Sequence, residues 1–217
     1  MNAPADRDTL MNPAHVTIEN LTRRHLPDAV EVIAQAFYRN PLAIHAFPGV
    51  GDDTRLRRVR RIYRSVMEIA FQRGRVFVVR ISGRIAGAAV VYPPSADVQT
   101  LLGRALSGVG ALTVGPRASM RYVAYEREIR KMRPKEPHWY LFFLGVTPAF
   151  HGQGIGSAFV KHVCRMADAD GVPCYLETSV KPQIEFYGAY GFELKESRTL
   201  KQLDGLVVNG MVRPAKQ

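Results

Sequence analysis

The stretch LGVTPAFHGQGIGSAF, residues 144–159, decides how the rest of the chain is read. It opens on the end of a continuous apolar run, HWYLFFLGV, which reads as a buried β-strand closed by Pro148. It leads into Ile155, Phe159, Val163 and Met166, whose helical spacing runs to about Gly171. Between strand and helix stand Gly152, Gly154 and Gly156. A glycine inside a helix costs roughly 1 kcal/mol relative to alanine, so three at a helix start require a reason. The first N–H groups of a helix lack internal partners, and the helix dipole is positive at that end. Bare backbone there lets phosphate oxygens reach the amides, so the turn reads as an anion site. The alternative is a glycine-eased helix start with no ligand.

Two familiar phosphate loops are excluded. The dinucleotide fingerprint spaces its glycines differently and needs an acidic residue about twenty positions further on. A triphosphate loop needs a lysine before its serine or threonine, and Ser157 follows no lysine.

Outward from this stretch, the pattern is that of one mixed α/β domain without repeats or low-complexity tracts. Residues 18–40 read as a short strand and a helix, with Pro27 and Asp28 at the helix start. NPLAIHAFPGVGDD reads as a loop. A second helix, about Thr54 to Gln72, carries the apolar stripe Leu56, Val59, Tyr63, Val66 and Ala70. Six arginines between Arg55 and Arg64 crowd its other faces, as a solvated surface or a binding patch. RVFVVRISGRIAGAAVVYPP reads as a hairpin turning at SGR. Residues 97–133 read as helical with glycine interruptions between Gly108 and Gly115. After the glycine turn and its helix come the strand PCYLETS, a short helix in IEFYGAYGF and two terminal strands.

Composition bounds the rest. A chain of 217 residues with 47% apolar and 23% charged residues is an ordinary globular domain. Residues 1–15 contain no apolar core of the secretory type and read as a flexible leader, with 16–217 as the domain. No apolar run reaches bilayer-spanning length. The two cysteines, Cys164 and Cys174, fall in a helix and a strand and read as buried free thiols, which suits a reducing, cytoplasmic setting. The net charge of +11 favours polyanionic partners without choosing among nucleic acid, anionic lipid and a phosphorylated cofactor.

LGVTPAFHGQGIGSAF resembles the acyl-CoA-binding motif of the GNAT superfamily of N-acetyltransferases, and YLETSVKPQIEFYGAYGFE resembles its companion motif. Together with RPKEPHWYLFFLGVTP and GVPCYLETS, they look closest to puromycin N-acetyltransferase and its bacterial relatives, over about Arg133 to Glu193. The resemblance implies a mixed central β-sheet flanked by helices, with strands 4 and 5 splayed to hold acetyl-CoA. It places the pyrophosphate on the amides of His151, Gly152, Gln153, Gly154, Ile155 and Gly156, with Ser157, Gln183 and Tyr187 also against the cofactor, and the pantetheine arm along Leu144 and Val146. The family's first motif position is glutamine or arginine, and here it is His151. Where the family commonly carries a bracing asparagine, this chain has Val180 and Gln183.

The implied chemistry is transfer of an acetyl group from acetyl-CoA to a primary amine of a small molecule, by direct attack through a tetrahedral intermediate. By resemblance, the Val146 N–H polarises the thioester carbonyl and Tyr187 protonates the departing sulfur. A phenol with an ordinary pKa near 10 keeps that proton at neutral pH. Glu177, acidic in an apolar strand, reads either as the general base or as a structural ion pair. His138 and Tyr140 are read on one strand face with Leu144 and Val146, within reach of the acceptor through water. Phe37, Tyr38 and Phe47 offer an apolar wall for an aromatic or hydrophobic amine. No metal site is expected, and neither a specific nucleic acid nor a membrane is an expected partner; a homodimer is left open. Two other classes compete with the enzyme: a CoA-binding sensor without catalysis, and a nucleic-acid module built on the arginine helix.

Overall fold

A computed structural model describes residues 16–96 and 114–216. Residues 1–15, read as a leader, and 97–113, the first part of the stretch read over 97–133, lie outside the described residues. A seven-stranded sheet runs through the molecule in the order β1-β2-β3-β4-β5-β7-β6. Its strands are β1 (Ile18–Asn20), β2 (Arg75–Ile81), β3 (Arg84–Tyr92), β4 (Trp139–Val146), β5 (Cys174–Thr178), β6 (Glu193–Leu200) and β7 (Leu206–Arg213). All neighbours pair antiparallel except β4 and β5, which are parallel.

Side-chain alternation sends each strand's residues to two cores. On one face, α1 (Leu26–Phe37), α2 (Pro41–Ala46), α3 (Asp52–Arg73) and α4 (Pro116–Arg130) cover Val78, Val90, Tyr92, Tyr140 and Tyr175. On the other, α5 (Ile155–Ala169) and α6 (Lys181–Gly188) cover Phe77, Val91, Leu141 and Leu176. The stripe read on α3 is the packed one: Val59, Val66 and Ala70 are fully buried. Glu31 on α1 takes both hydrogen bonds of the Arg60 guanidinium, at 2.5 and 2.9 Å, and locks these two helices side by side.

Three local readings change. The expected loop after α1 contains α2, which Asn40 initiates by accepting from the Leu42 N–H at 2.9 Å, with Pro41 at the first turn. The arginines of α3 are not all solvated: Arg55 is 9% exposed and donates to the carbonyls of Tyr38 and Val50, at 2.7 and 2.9 Å, while also pairing with Asp52. It ties the ends of α1, α2 and α3 together.

The third change re-aims a strand. Val90 faces Phe143 while Val91 faces Leu141, so Phe142 is an extra residue in β4, a β-bulge. Alternation breaks there, and Phe142 and Phe143 both pack against the α1–α3 core. Tyr140 therefore does not share a face with Leu144 and Val146, as unbroken alternation requires; those two pack on the α5 side.

The parallel pairing of β4 and β5 is confined to Trp139↔Cys174 and Tyr140↔Tyr175. Beyond that point the strands part, and residues from both line one cavity. Among the described residues, no helix is long and apolar enough to cross a membrane.

Candidate active site

The chain leaves β4 through Pro148–Phe150 and enters the glycine turn. Gly152 and Gly154 have φ of 79° and 78°, left-handed values that a side chain disfavours. Gly154 caps α5 and leaves the amides of its first turn free. A Cβ added at Gly152 would meet nothing within 4 Å, and one at Gly156 would make only ordinary contacts with Phe186 and Leu144. Crowding therefore does not demand glycine at either position; at Gly152 the left-handed φ favours it, and at Gly156 neither crowding nor φ does.

This turn forms one wall of an open groove of about 710 Å³. Leu144, Val146, His151, Gly152, Gly154, Ile155, Gly156, Ser157 and Gln183 all line it. The opposite wall comes from the end of α1 and the start of α2, including Ala36, Phe37 and Arg39. Gln153, read with the turn, does not line the groove, and Tyr187 lines the adjoining cavity instead. His151 is exposed, and its Nε2–H donates to the Val146 carbonyl at 3.0 Å, folding the turn back onto the strand end. Thr178 Oγ1 accepts from the Val180 N–H and donates to Gln183 Oε1 at 2.6 Å. That contact leaves the Gln183 Nε2 as the donor available to the groove.

The adjoining cavity lies between the parted strands, about 70 Å³. It meets the groove at Phe37, Asn40, Leu144 and Gln183, which line both. Aromatic rings line much of it: Phe37, Tyr63, Tyr122, Tyr125, Tyr140, Phe142 and Phe143 from helices and β4, with Tyr187 from α6. Burial raises the Tyr187 phenol above its ordinary value, so the hydroxyl remains protonated across the neutral range.

Glu177 is the acidic group of the cavity wall, and its side chain is only 4% exposed. Tyr140 donates to its Oε2 at 2.6 Å, and Arg133 Nε lies 3.4 Å from its Oε1. Burial raises its pKa, and the Arg133 charge and the tyrosine hydroxyls oppose that shift. The ion pair read as one alternative for Glu177 is present, and the residue also lines the cavity.

The remaining residues read as substrate-binding are placed as follows. Phe37 and Tyr140 line the cavity. Phe47 does not; it is 2% exposed, packed against the Tyr122 ring and under Arg58. Tyr38 packs against the α1–α3 core beneath the Arg39 guanidinium. His138 lines a neighbouring recess of about 440 Å³ with Arg133 and Tyr140. There it bonds the Glu136 carbonyl at 2.8 Å, and burial lowers its pKa. Arg133, Tyr63, Tyr122 and Tyr125 escape a reading of motifs; the signal for the last three is an aromatic at helical spacing, which reads as core.

The model of the acetyltransferase (GNAT) family matches residues 45–192. The chain belongs to the GNAT acetyltransferase family. Solved GNAT-type structures share its fold. A Corynebacterium glutamicum protein described as histone acetyltransferase HPA2 and related acetyltransferase superposes with a TM-score of 0.66 at 23% identity, covering 93% of this chain and 97% of that one. A mosquito arylalkylamine N-acetyltransferase-like protein gives 0.65 at 13% identity, covering 92% and 99%. The Escherichia coli ribosomal-protein-S18-alanine N-acetyltransferase gives 0.54 at 19%, covering 93% and 94%. At these identities the likeness is one of fold. A probable serine/threonine-protein kinase of Dictyostelium discoideum is 35% identical over 57 residues, 26% of this chain, and the match spans only 8% of that protein's length. As a GNAT acetyltransferase the chain is an enzyme, with acetyl-CoA as co-substrate, and the groove's free amides and unfilled glycine positions fit that ligand.

Proposed function

We propose that this acetyltransferase moves the acetyl group of acetyl-CoA to the primary amine of a small molecule with an aromatic or apolar body. The observation that carries this is the aromatic cavity between β4 and β5, with Glu177 in its wall, opening to the groove at Leu144 and Gln183. Aromatic walls hold an apolar body, and a single buried carboxylate answers a single ammonium. Residues 151–156 hold the pyrophosphate on the α5 amides, Ser157 extends that turn, and Gln183 takes the place of the family's bracing asparagine. Leu144 and Val146 hold the pantetheine arm along β4, the Val146 N–H polarises the carbonyl, and Tyr187 delivers a proton to sulfur. Glu177 withdraws the proton that keeps the amine from attacking. The subgroup resemblance to puromycin N-acetyltransferase rests on residues 133–193, and Arg133, Tyr140 and Glu177 all lie in that span.

Thermal unfolding with acetyl-CoA, against ATP, followed by CoA-release assays with 2-phenylethylamine and with spermidine, tests this reading. A ligand at a hundred times its Kd stabilises by about 2.7 kcal/mol, a rise of roughly 5–10 °C for a domain of this size. The reading expects that rise with acetyl-CoA only, and turnover with the aryl amine above the polyamine. Stabilisation without turnover of any amine favours the CoA-binding sensor instead.

A further inference from the structure

Behind the cavity wall, Arg133 stands between two buried carboxylates. Its Nη2 donates to Glu126 Oε1 on α4 at 3.0 Å, and its Nε reaches Glu177 Oε1 on β5 at 3.4 Å. The same Nη2 donates to the Tyr140 hydroxyl at 3.2 Å, which in turn donates to Glu177 Oε2. Side-chain exposures are 8% for Arg133, 7% for Glu126 and 4% for Glu177, so water screens none of these contacts. Glu126 does not line the cavity, and its Oε2 is buried with no hydrogen-bond partner among the described residues. Arg133 is shared between two desolvated carboxylates, and a carboxyl oxygen that accepts from no donor is where a proton would sit.

We propose that Glu126 is a positioning residue that works through Arg133: it holds a proton in the resting enzyme and releases it to solvent when Glu177 takes one from the acceptor. This rests on the amine-acceptor reading of the cavity. The overall reaction, R–NH3+ plus acetyl-S-CoA giving R–NH–CO–CH3, HS-CoA and H+, forms a C–N bond and breaks a C–S bond. Of the three ammonium protons, one stays on nitrogen, one is matched by the proton reaching sulfur, and one passes to Glu177. Protonated Glu177 no longer balances Arg133; ionised Glu126 does, and the proton it sheds is the one the equation releases. The charge of the cluster is then the same before and after the transfer. Arg133 and Tyr140 also line the recess at His138, the side of the cluster nearest an open surface.

The groups facing Glu126 are Arg133, Arg130 on its own helix, Glu177 from β5, Tyr140 from β4, Tyr92 from β3 and Tyr125. Burial lifts Glu126 to about 7, against the pull of Arg133 and with the push of Glu177.

Two measurements test the inference. In ligand-free protein labelled with carboxyl-13C glutamate, one buried carboxyl should titrate near pH 7 and vanish in Glu126→Gln. In Glu177→Gln that carboxyl should titrate about one pH unit or more lower, since a like charge is gone. A Glu126 midpoint that Glu177→Gln leaves unmoved would overturn the proposal.

The second is the pH dependence of kcat/KM with 2-phenylethylamine. In Glu126→Gln a neutral side chain stands where protonated Glu126 stood but cannot release a proton, so the acid limb should stay in place while the plateau falls about tenfold. Glu126→Asp, which can release a proton, should return the plateau toward wild type. Equal plateau losses in both variants mean a structural role only, and overturn the proposal. Retained thermal stabilisation by acetyl-CoA confirms that each variant is folded. Coupled titration without acetylation of any amine would overturn the acceptor reading and with it the part of Glu126 in turnover.

Discussion

The rings of Phe142 and Phe143, neighbours in sequence, lie 4.1 Å apart on the same side of the sheet. Strand geometry normally sends such neighbours to opposite faces. The bulge at Phe142 brings them together, and both rings then wall the cavity. Phe143 also packs edge-on against Tyr63 and Phe37. Phe143→Ala is expected to destabilise by about 3–5 kcal/mol, a melting temperature lower by roughly 6–20 °C. Phe142→Ala, at a half-buried site, should cost less stability and raise KM for the acceptor more than KM for acetyl-CoA. Differential scanning calorimetry and two-substrate kinetics separate the two.

Tyr187→Phe keeps the ring and removes the acid. The expected loss in kcat is about a hundred- to ten-thousand-fold, with stabilisation by acetyl-CoA unchanged. A variant that turns over as fast as wild type would take Tyr187 out of the mechanism.

The carboxylate pair makes stability fall with rising pH. Burial lifts Glu126 from 4.5 to about 7 and lifts Glu177 above 4.5. Between pH 4.5 and 7 the folded state therefore binds more protons than the unfolded chain. This contribution is fully present below about pH 4.5 and is lost as pH rises toward 7. Urea midpoints measured across this window should decline with pH in wild type and flatten in Glu126→Gln.

Arg55→Met should act at a distance. It strips the carbonyls of Tyr38 and Val50 of a donor, at about 1–3 kcal/mol for each group left unpaired. Because α2 carries Leu42 and Ala43 to the cavity, acceptor KM should rise while kcat holds. An unchanged melting temperature would contradict the structural role given to this residue.

Neither thiol should take part in the reaction. Cys164 and Cys174 are free and buried, and burial raises both thiols above their ordinary value. Iodoacetamide at pH 8 should leave native protein active and unlabelled, and label both positions only after unfolding. Loss of activity in step with native labelling would reopen a covalent route.

What the sequence made legible is what is local. The glycine turn, the strand before it and the helix after it lie within one short stretch, and each leaves its own mark in composition or period. The hairpin and the α3 stripe are legible for the same reason. The bulge at Phe142 is silent, because an extra apolar residue inside an apolar strand changes no pattern. Placing Tyr140 with Leu144 and Val146 followed from that silence. α2 was hidden because six residues give too few turns for a period to show. The Glu126–Arg133–Glu177 cluster was out of reach for another reason: Arg133 and Glu177 are 44 residues apart and meet only because β5 pairs beside β4. A buried arginine and a solvated one look alike until a fold brings them partners, as Arg55 also shows.

The narrow β4–β5 pairing has a practical consequence. Trp139 sits at its vertex, opposite Cys174, and is the single tryptophan of the chain. Its ring is 2% exposed, its Nε1–H donates to Asp170 at 2.9 Å, and the Arg75 guanidinium lies 5.1 Å above it. A buried indole with a carboxylate on one edge and a cation on its face responds to small shifts of either charge. The molecule thus carries its own fluorophore at the vertex of the wedge, and its emission is expected to respond to a change there without any label.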